Sequence, residues 1–419
     1  MRGGDAEWRQ AAGSLLLINP LFSVPLTFMA GYLVWFFAMT ETVSMPGLAP
    51  RHDTPNSQFL FFLLFAGFVG GMAMAALFRR PQRANANLTD QEWLAVGLVS
   101  AAITFLGEAI FLRTVLANPG ALLANNLTTT ISLVGEQVRE SQVLGVSSLN
   151  NLFPVPTSIA AMLIFARRPL APQARFQAGA LLFTMGTMTL VHAVLASSRI
   201  WFLSFLLSVL VAWVVQRRSS LKAQLKWILI ILVVGGIFVV STELIRNLGL
   251  QMARAGIKIT DPGVAAYAGL RLLRAYPASD VNNALIVLDC PSPRQIISTF
   301  DVLSRIIGGN FQYYGFCRGW QSAFGTINFL GLIWWDWGYA APAVTFLIGA
   351  GIQSIFIKAA EAGDRLTFAA VLFPATLFSA MHLTRSFAFG QTLFLLPALF
   401  LLLVWITSRI GWQRSSAAA

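Results

Sequence analysis

Eight ionisable residues stand inside or against long apolar stretches, where charge is costly. They are Glu108, His192, Arg199, Glu243, Arg246, Asp336, His382 and Arg385, all within a turn or two of what read as the same ends of successive helices. A charge at the centre of a bilayer costs about 2.5–3.5 kcal/mol on insertion scales, so such residues are seldom incidental. Acids and bases are mixed in the set and arginine dominates it. The planar guanidinium makes two parallel charge-assisted hydrogen bonds to phosphate or carboxylate and keeps its charge. A carboxylate or a neutral imidazole nearby can take a proton from a hydroxyl. The set therefore predicts a polar site at one membrane face that receives an anionic ligand. For the two histidines the plain alternative is a hydrogen-bonded packing role, and for the arginines a snorkelling one.

Other chemistries lack their residues. With 3 His and 2 Cys in the chain, and no His pair spaced along one helix, no metal site is expected. Gly308-Gly309 precede Asn310 without a phosphate-loop lysine, and Ser197-Ser198-Arg199 lacks the setting of a hydrolase nucleophile. No cofactor is expected.

The elements that must position these residues are helices in a membrane. The 419 residues are 56% hydrophobic and 11% charged, with a mean hydropathy of +0.68. Soluble domains carry about 25% charged residues, which excludes an ordinary globular enzyme. Apolar stretches long enough to span a bilayer recur throughout. The predicted fold is all-α, a polytopic helical membrane protein with about ten spans: 16–39, 58–78, 93–112, 152–166, 177–197, 200–216, 227–243, 337–357, 366–383 and 387–408. The short polar leader lacks a small-residue cleavage pattern, so the first span reads as a signal anchor. Ala66-Gly67-Phe68-Val69-Gly70-Gly71 is a candidate close-packing face.

Basic residues orient the spans. Arg79, Arg80 and Arg83 follow the second; Arg167, Arg168 and Arg175 the fourth; Arg217, Arg218, Lys222 and Lys226 the sixth. Lys358 and Arg365 follow the eighth, and Arg409 and Arg414 the last. By the positive-inside rule both termini are expected in the cytoplasm and the eight residues above on the opposite face. The net charge of +12 then reflects orientation and anionic lipid rather than nucleic acid, which is not an expected partner.

One long segment, 244–336, lies on the outer face and reads as a large loop with amphipathic or re-entrant helices. Val264–Ala275 sets Tyr267, Leu270 and Leu273 against Arg271 and Arg274, after a helix start at Asp261-Pro262-Gly263. Trp320–Trp335 reads as a short interfacial or re-entrant helix. Cys290 and Cys317 both lie in this segment, either as a disulfide or as two separate thiols. A second outer segment, 113–151, carries Arg139.

One arrangement of short motifs resembles a known family. Ser197-Ser198-Arg199 opens a span, Glu243-Leu244-Ile245-Arg246 follows the next, and a long outer loop comes after. Asn328-Phe329-Leu330-Gly331 then runs into Asp336-Trp337-Gly338, with Gly349 and Gly351 in the following span. This resembles the Wzy-type oligosaccharide repeat-unit polymerases, which are themselves similar to O-antigen ligases. The resemblance implies a bacterial inner-membrane glycosyltransferase of cell-envelope polysaccharide synthesis with its site facing the periplasm. It would transfer a growing glycan from undecaprenyl pyrophosphate to the sugar of an incoming lipid-linked repeat unit, without metal or nucleotide sugar. A chain-length regulator protein is a further partner to expect. By depth and residue type, Arg199, Arg246 and Arg385 would then grip the pyrophosphate, and Arg139, in a segment resembling the family's own Arg-containing stretch, and Arg271 would hold glycan or the second lipid carrier. Asp336 or His382 would be the base, with Glu108 and His192 in support. The alternatives are a ligase acting on another acceptor, or a flippase for a lipid-linked oligosaccharide. The latter is disfavoured by the absence of repeated halves and of buried charge in the inner halves of the spans.

Overall fold

A computed structural model describes residues 15–38, 51–78, 88–113, 147–195, 199–218, 220–243, 277–290, 327–386, 389 and 391–417. Among these the secondary structure is entirely helical. The helices are α1 Pro20–Ala38, α2 Pro55–Leu77, α3 Asp90–Phe111, α4 Pro154–Phe165, α5 Pro172–Leu195, α6 Arg199–Arg217 and α7 Leu221–Glu243. They continue with α8 over 277–288, α9 Phe329–Trp337, α10 Ala341–Glu361, α11 Phe368–His382 and α12 Thr392–Ala417. Nine stretches among the described residues are long and apolar enough to cross a membrane. The expected span at 366–383 is present as the shorter apolar helix α11. The protein is an all-α polytopic membrane protein.

Local sequence sets where the helices begin. Thr54 caps α2 by accepting from the Ser57 N–H at 3.2 Å, with Pro55 in the first turn. Thr89 and Glu92 form a reciprocal capping box on α3, the Thr89 N–H donating to Glu92 Oε2 at 2.6 Å. Thr367 caps α11. The expected fourth span is built from two pieces, a 3-10 helix at Ser147–Leu152 and α4. Two prolines and a three-residue-per-turn start are tolerated there because this stretch is the most enclosed of the spans. Its window is 72% buried, against 11% for Leu221–Phe238.

The most extensive helix pair is α2 with α10. A Cβ built on Gly71 would stand 1.9 Å from the Phe346 carbonyl oxygen, and one on Gly349 would stand 2.1 Å from that of Phe68. Backbone meets backbone, as small residues permit between membrane helices. Gly67 faces Pro342 and Thr345 while Gly71 faces Phe346 and Ala350, so the two helices run parallel. The close-packing face expected at 66–71 is thus an interface. Gly338, at φ 51°, turns the chain between α9 and α10 in a conformation that L side chains rarely adopt.

Part of the segment read as an outer loop is enclosed by the bundle. Residues 278–288 of α8 are all buried, and Gly331 of α9 comes within 2.9 Å (from its built Cβ) of Ala284. The Phe329 ring lies 5.3 Å from Phe68 and 6.0 Å from Phe28. α9 covers the end of the helix expected at 320–335 and packs on the rings of α1 and α2; residues 320–326 lie outside the described residues. Cys290, just past α8, is disulfide-bonded; the chain's other cysteine, Cys317, lies outside the described residues, as does the amphipathic helix expected at 264–275.

α8 and the residue just past it are tied to α1, to His52 and Thr54, and to the first turn of α2. Asn282 Oδ1 accepts from Trp35 Nε1 at 3.1 Å and from the His52 backbone N–H at 2.8 Å. Asp289 accepts from Thr54 Oγ1, from Asn56 Nδ2 at 2.9 Å, and pairs with His52 Nε2 at 2.6 Å. Burial by itself would raise the Asp289 pKa, but the hydrogen bonds from Thr54, Asn56 and His52 outweigh it and hold the carboxyl below its ordinary value. A carboxyl depressed on folding stabilises the fold above its unfolded pKa, and the benefit is lost as pH falls through the lower folded value. Asp289→Asn is therefore expected to lower stability at neutral pH by about 1–3 kcal/mol. Its thermal unfolding in detergent should converge with that of the wild type only below the ordinary carboxylate range. A gap that persists unchanged into strong acid would contradict this account.

Candidate functional site

Two of the expected site residues meet in the interior. Glu108, one turn from the end of α3, and His192, one turn from the end of α5, are 5% and 2% exposed. His192 Nδ1 lies 2.8 Å from Glu108 Oε1 and 2.9 Å from Oε2. Asn150, on the 3-10 helix before α4, donates from Nδ2 to Glu108 Oε2 at 3.1 Å. The carboxylate thus holds two donors, which a buried charge needs to remain in an apolar setting. The neighbouring Asn151 ties the same 3-10 helix to the start of α12 by donating to Thr392 Oγ1 at 2.7 Å.

Aromatic rings fix the imidazole from both sides. Trp201 of α6 stacks on it at 3.8 Å between centroids and 17° between planes, and Phe111 of α3 at 4.8 Å and 28°. Phe153 stacks on Trp201 in turn at 4.5 Å. The order Phe111–His192–Trp201–Phe153 leaves the ring little freedom except in its own plane. Its second nitrogen, Nε2, has no protein hydrogen-bond partner among the described residues. A histidine oriented at one nitrogen by a carboxylate and unpartnered at the other is an arrangement suited to a proton acceptor.

A second group of expected residues lies across the same apolar cluster. Phe153, Trp201 and Phe378 share that cluster with Met185 and Met188, and His382 stacks on Phe378 at 5.9 Å and 11°. Arg385, half-buried, follows in a turn whose backbone N–H returns to the His382 carbonyl at 2.9 Å. This turn is pinned to the start of α9: Asn328 Nδ2 donates to the Thr384 carbonyl at 3.1 Å and the Phe329 N–H to that of Leu383 at 3.1 Å. Ser158 of α4, Ser204 of α6 and Ser379 of α11 are buried hydroxyls without a protein partner among the described residues. Ser204 is one turn below Trp201, and Ser379 one turn below His382.

The remaining expectations divide by position. Asp336 is buried, 1% exposed, but sits eight residues along α9 from Asn328, about 12 Å at helical rise, and α9 packs on α10 and α2. The structure does not join it to the Glu108–His192 pair. Arg199 is the first residue of α6, two before Trp201; its side chain lies outside the described residues, as does that of Glu243 at the end of α7. Arg139, Arg246 and Arg271 lie outside them altogether. Among the described residues no three metal-donor side chains gather.

Asn150 and the rings of Phe111, Phe153 and Trp201 join the site only in three dimensions. The sole local sign was the polar pair Asn150-Asn151 directly before a proline-started apolar span. The polar run Ser279, Asp280, Asn282 and Asn283 is likewise buried, on α8. The opposite end of the bundle holds the structural ion pair of Arg168 with Asp90 and the contact of Trp93 with Phe368 at 4.9 Å. No protein-family model, curated protein or solved structure matches the chain.

Proposed function

We propose that the protein is a metal-independent polysaccharide polymerase of the bacterial inner membrane that extends undecaprenyl-pyrophosphate-linked oligosaccharide at the periplasmic face, with both termini in the cytoplasm. The observation that carries this reading is the buried Asn150–Glu108–His192 arrangement, stacked through His192 on Trp201 in the first turn of the helix that opens with Arg199. The acceptor sugar hydroxyl gives its proton to His192 Nε2 as its oxygen attacks the anomeric carbon of the donor glycan. The bond from that carbon to the phosphate oxygen breaks, and its electron pair leaves on undecaprenyl pyrophosphate. Negative charge grows on the diphosphate in the transition state, where arginines such as Arg199 and Arg385 are worth most. His192 replaces Asp336 and His382 as the preferred base, because a buried carboxylate orients its Nδ1 while its Nε2 has no protein partner among the described residues.

The test uses the purified protein in detergent with a lipid-linked repeat unit as the sole substrate. Lengthening of the lipid-linked glycan is expected without metal or nucleotide sugar, and a flippase, which needs two compartments, would give none. Arg199→Ala and Arg385→Ala should each abolish lengthening at unchanged protein level. No extension by the wild type, or full-length products from both variants, would overturn the reading.

A further inference from the structure

We infer that Asn150 is the positioning residue that locks His192 into a single neutral tautomer, proton on Nδ1 and lone pair on Nε2, and that the missing side chain at Gly107 is what lets it do so. The inference deepens the proposed reaction and rests on it only for its activity arm. It begins with a close approach. A Cβ on Gly107 would stand 2.3 Å from the Asn150 backbone nitrogen and 2.8 Å from the Leu149 carbonyl carbon. The 3-10 helix at Ser147–Leu152 is therefore seated directly on the backbone of α3, at the residue preceding Glu108. That seating brings Asn150 Nδ2 to 3.1 Å from Glu108 Oε2.

The consequence passes through the carboxylate. An amide nitrogen can only donate, so Asn150 fixes which way the Glu108 carboxyl plane turns and leaves it facing His192. Nδ1 lies within 2.9 Å of both carboxylate oxygens. A bare Nδ1 lone pair there would oppose two acceptors, so Nδ1 carries the proton. The stacked rings of Phe111 and Trp201 prevent the imidazole from tilting away. Without Asn150 the carboxyl group is free to rotate about its terminal torsion, which is broad and shallow for glutamate, and the hold on Nδ1 becomes fractional. With Gly107 substituted, the 3-10 helix must lift and the same hold is lost.

The chain's 3 histidines make this directly readable. In protein labelled with nitrogen-15 histidine, at a pH where the rings are neutral, the signals of His192 are those that vanish in His192→Asn. The wild type is expected to show a protonated Nδ1 and a bare Nε2. Asn150→Ala should introduce the opposite tautomer and cut the turnover of chain extension at least tenfold, with the KM for lipid-linked donor within about twofold. Should Asn150→Ala fold poorly, Asn150→Leu keeps the volume and removes the donor. Gly107→Ala should reproduce the mixed tautomer. A wild type protonated on Nε2, or an Asn150 variant retaining pure Nδ1 protonation, would overturn the inference. A mixed tautomer with undiminished extension would leave the positioning role standing and sink the assignment of His192 in the reaction.

Discussion

His192→Asn is expected to leave a folded, monodisperse protein whose rate of glycan extension is about 10²–10⁴-fold below the wild type, the range a positioned general base contributes. Asparagine is the informative replacement. Its side-chain amide nitrogen occupies the place of Nδ1, 2.8 Å from Glu108, so the buried carboxylate keeps its second donor. Removing that donor outright would leave a desolvated charge short of a partner and blur a catalytic loss with an unfolding one. What asparagine cannot supply is Nε2. Folding and reaction are thereby separated in one variant, followed by size-exclusion profile and by the length distribution of lipid-linked product. Extension within about threefold of the wild type would remove His192 from the chemistry and return the pair to a packing role.

Gly71→Leu and Gly349→Leu, each alone, are expected to abolish recovery of folded protein, at a cost of at least about 3 kcal/mol. Overpacking in a tight core costs about 1–3 kcal/mol when neighbouring side chains can yield. Here the obstructing atoms are carbonyl oxygens, 1.9 Å and 2.1 Å from the built Cβ positions, and backbone cannot yield without separating α2 from α10. Gly351 of the same helix supplies the control, since a Cβ there meets nothing within 4 Å. Gly351→Ala should be neutral, or stabilising by roughly the 1 kcal/mol difference in helix propensity. The comparison is made by detergent size-exclusion yield and thermal unfolding. Equal yields for Gly71→Leu and Gly351→Ala would show that the parallel packing of α2 and α10 is not what holds the bundle.

Where α2 meets α10, the small residues at 66–71 announced a close contact from sequence alone, but nothing local said that residue 349 would answer them. That required the two helices to run parallel, a matter of how many spans lie between.

At the site the division is sharper. Hydropathy determined the helices, because an apolar run of span length has no other stable state in lipid. The cost of charge in that setting determined which residues were worth notice, Glu108 and His192 among them. It could not rank them, since depth in a span is one coordinate and a site needs three. Only packing decided that His192, rather than His382, has a carboxylate at Nδ1. Residues 42 and 84 positions away from one another in the chain meet there through contacts of four separate elements. Asn150 owes its place to a glycine on a different helix, and α8 is held by donors on α1, on α2 and on the residues just before α2, through Asn282 and Asp289. Such partners are specified by the assembled surfaces of several helices, and no single stretch of sequence contains that information.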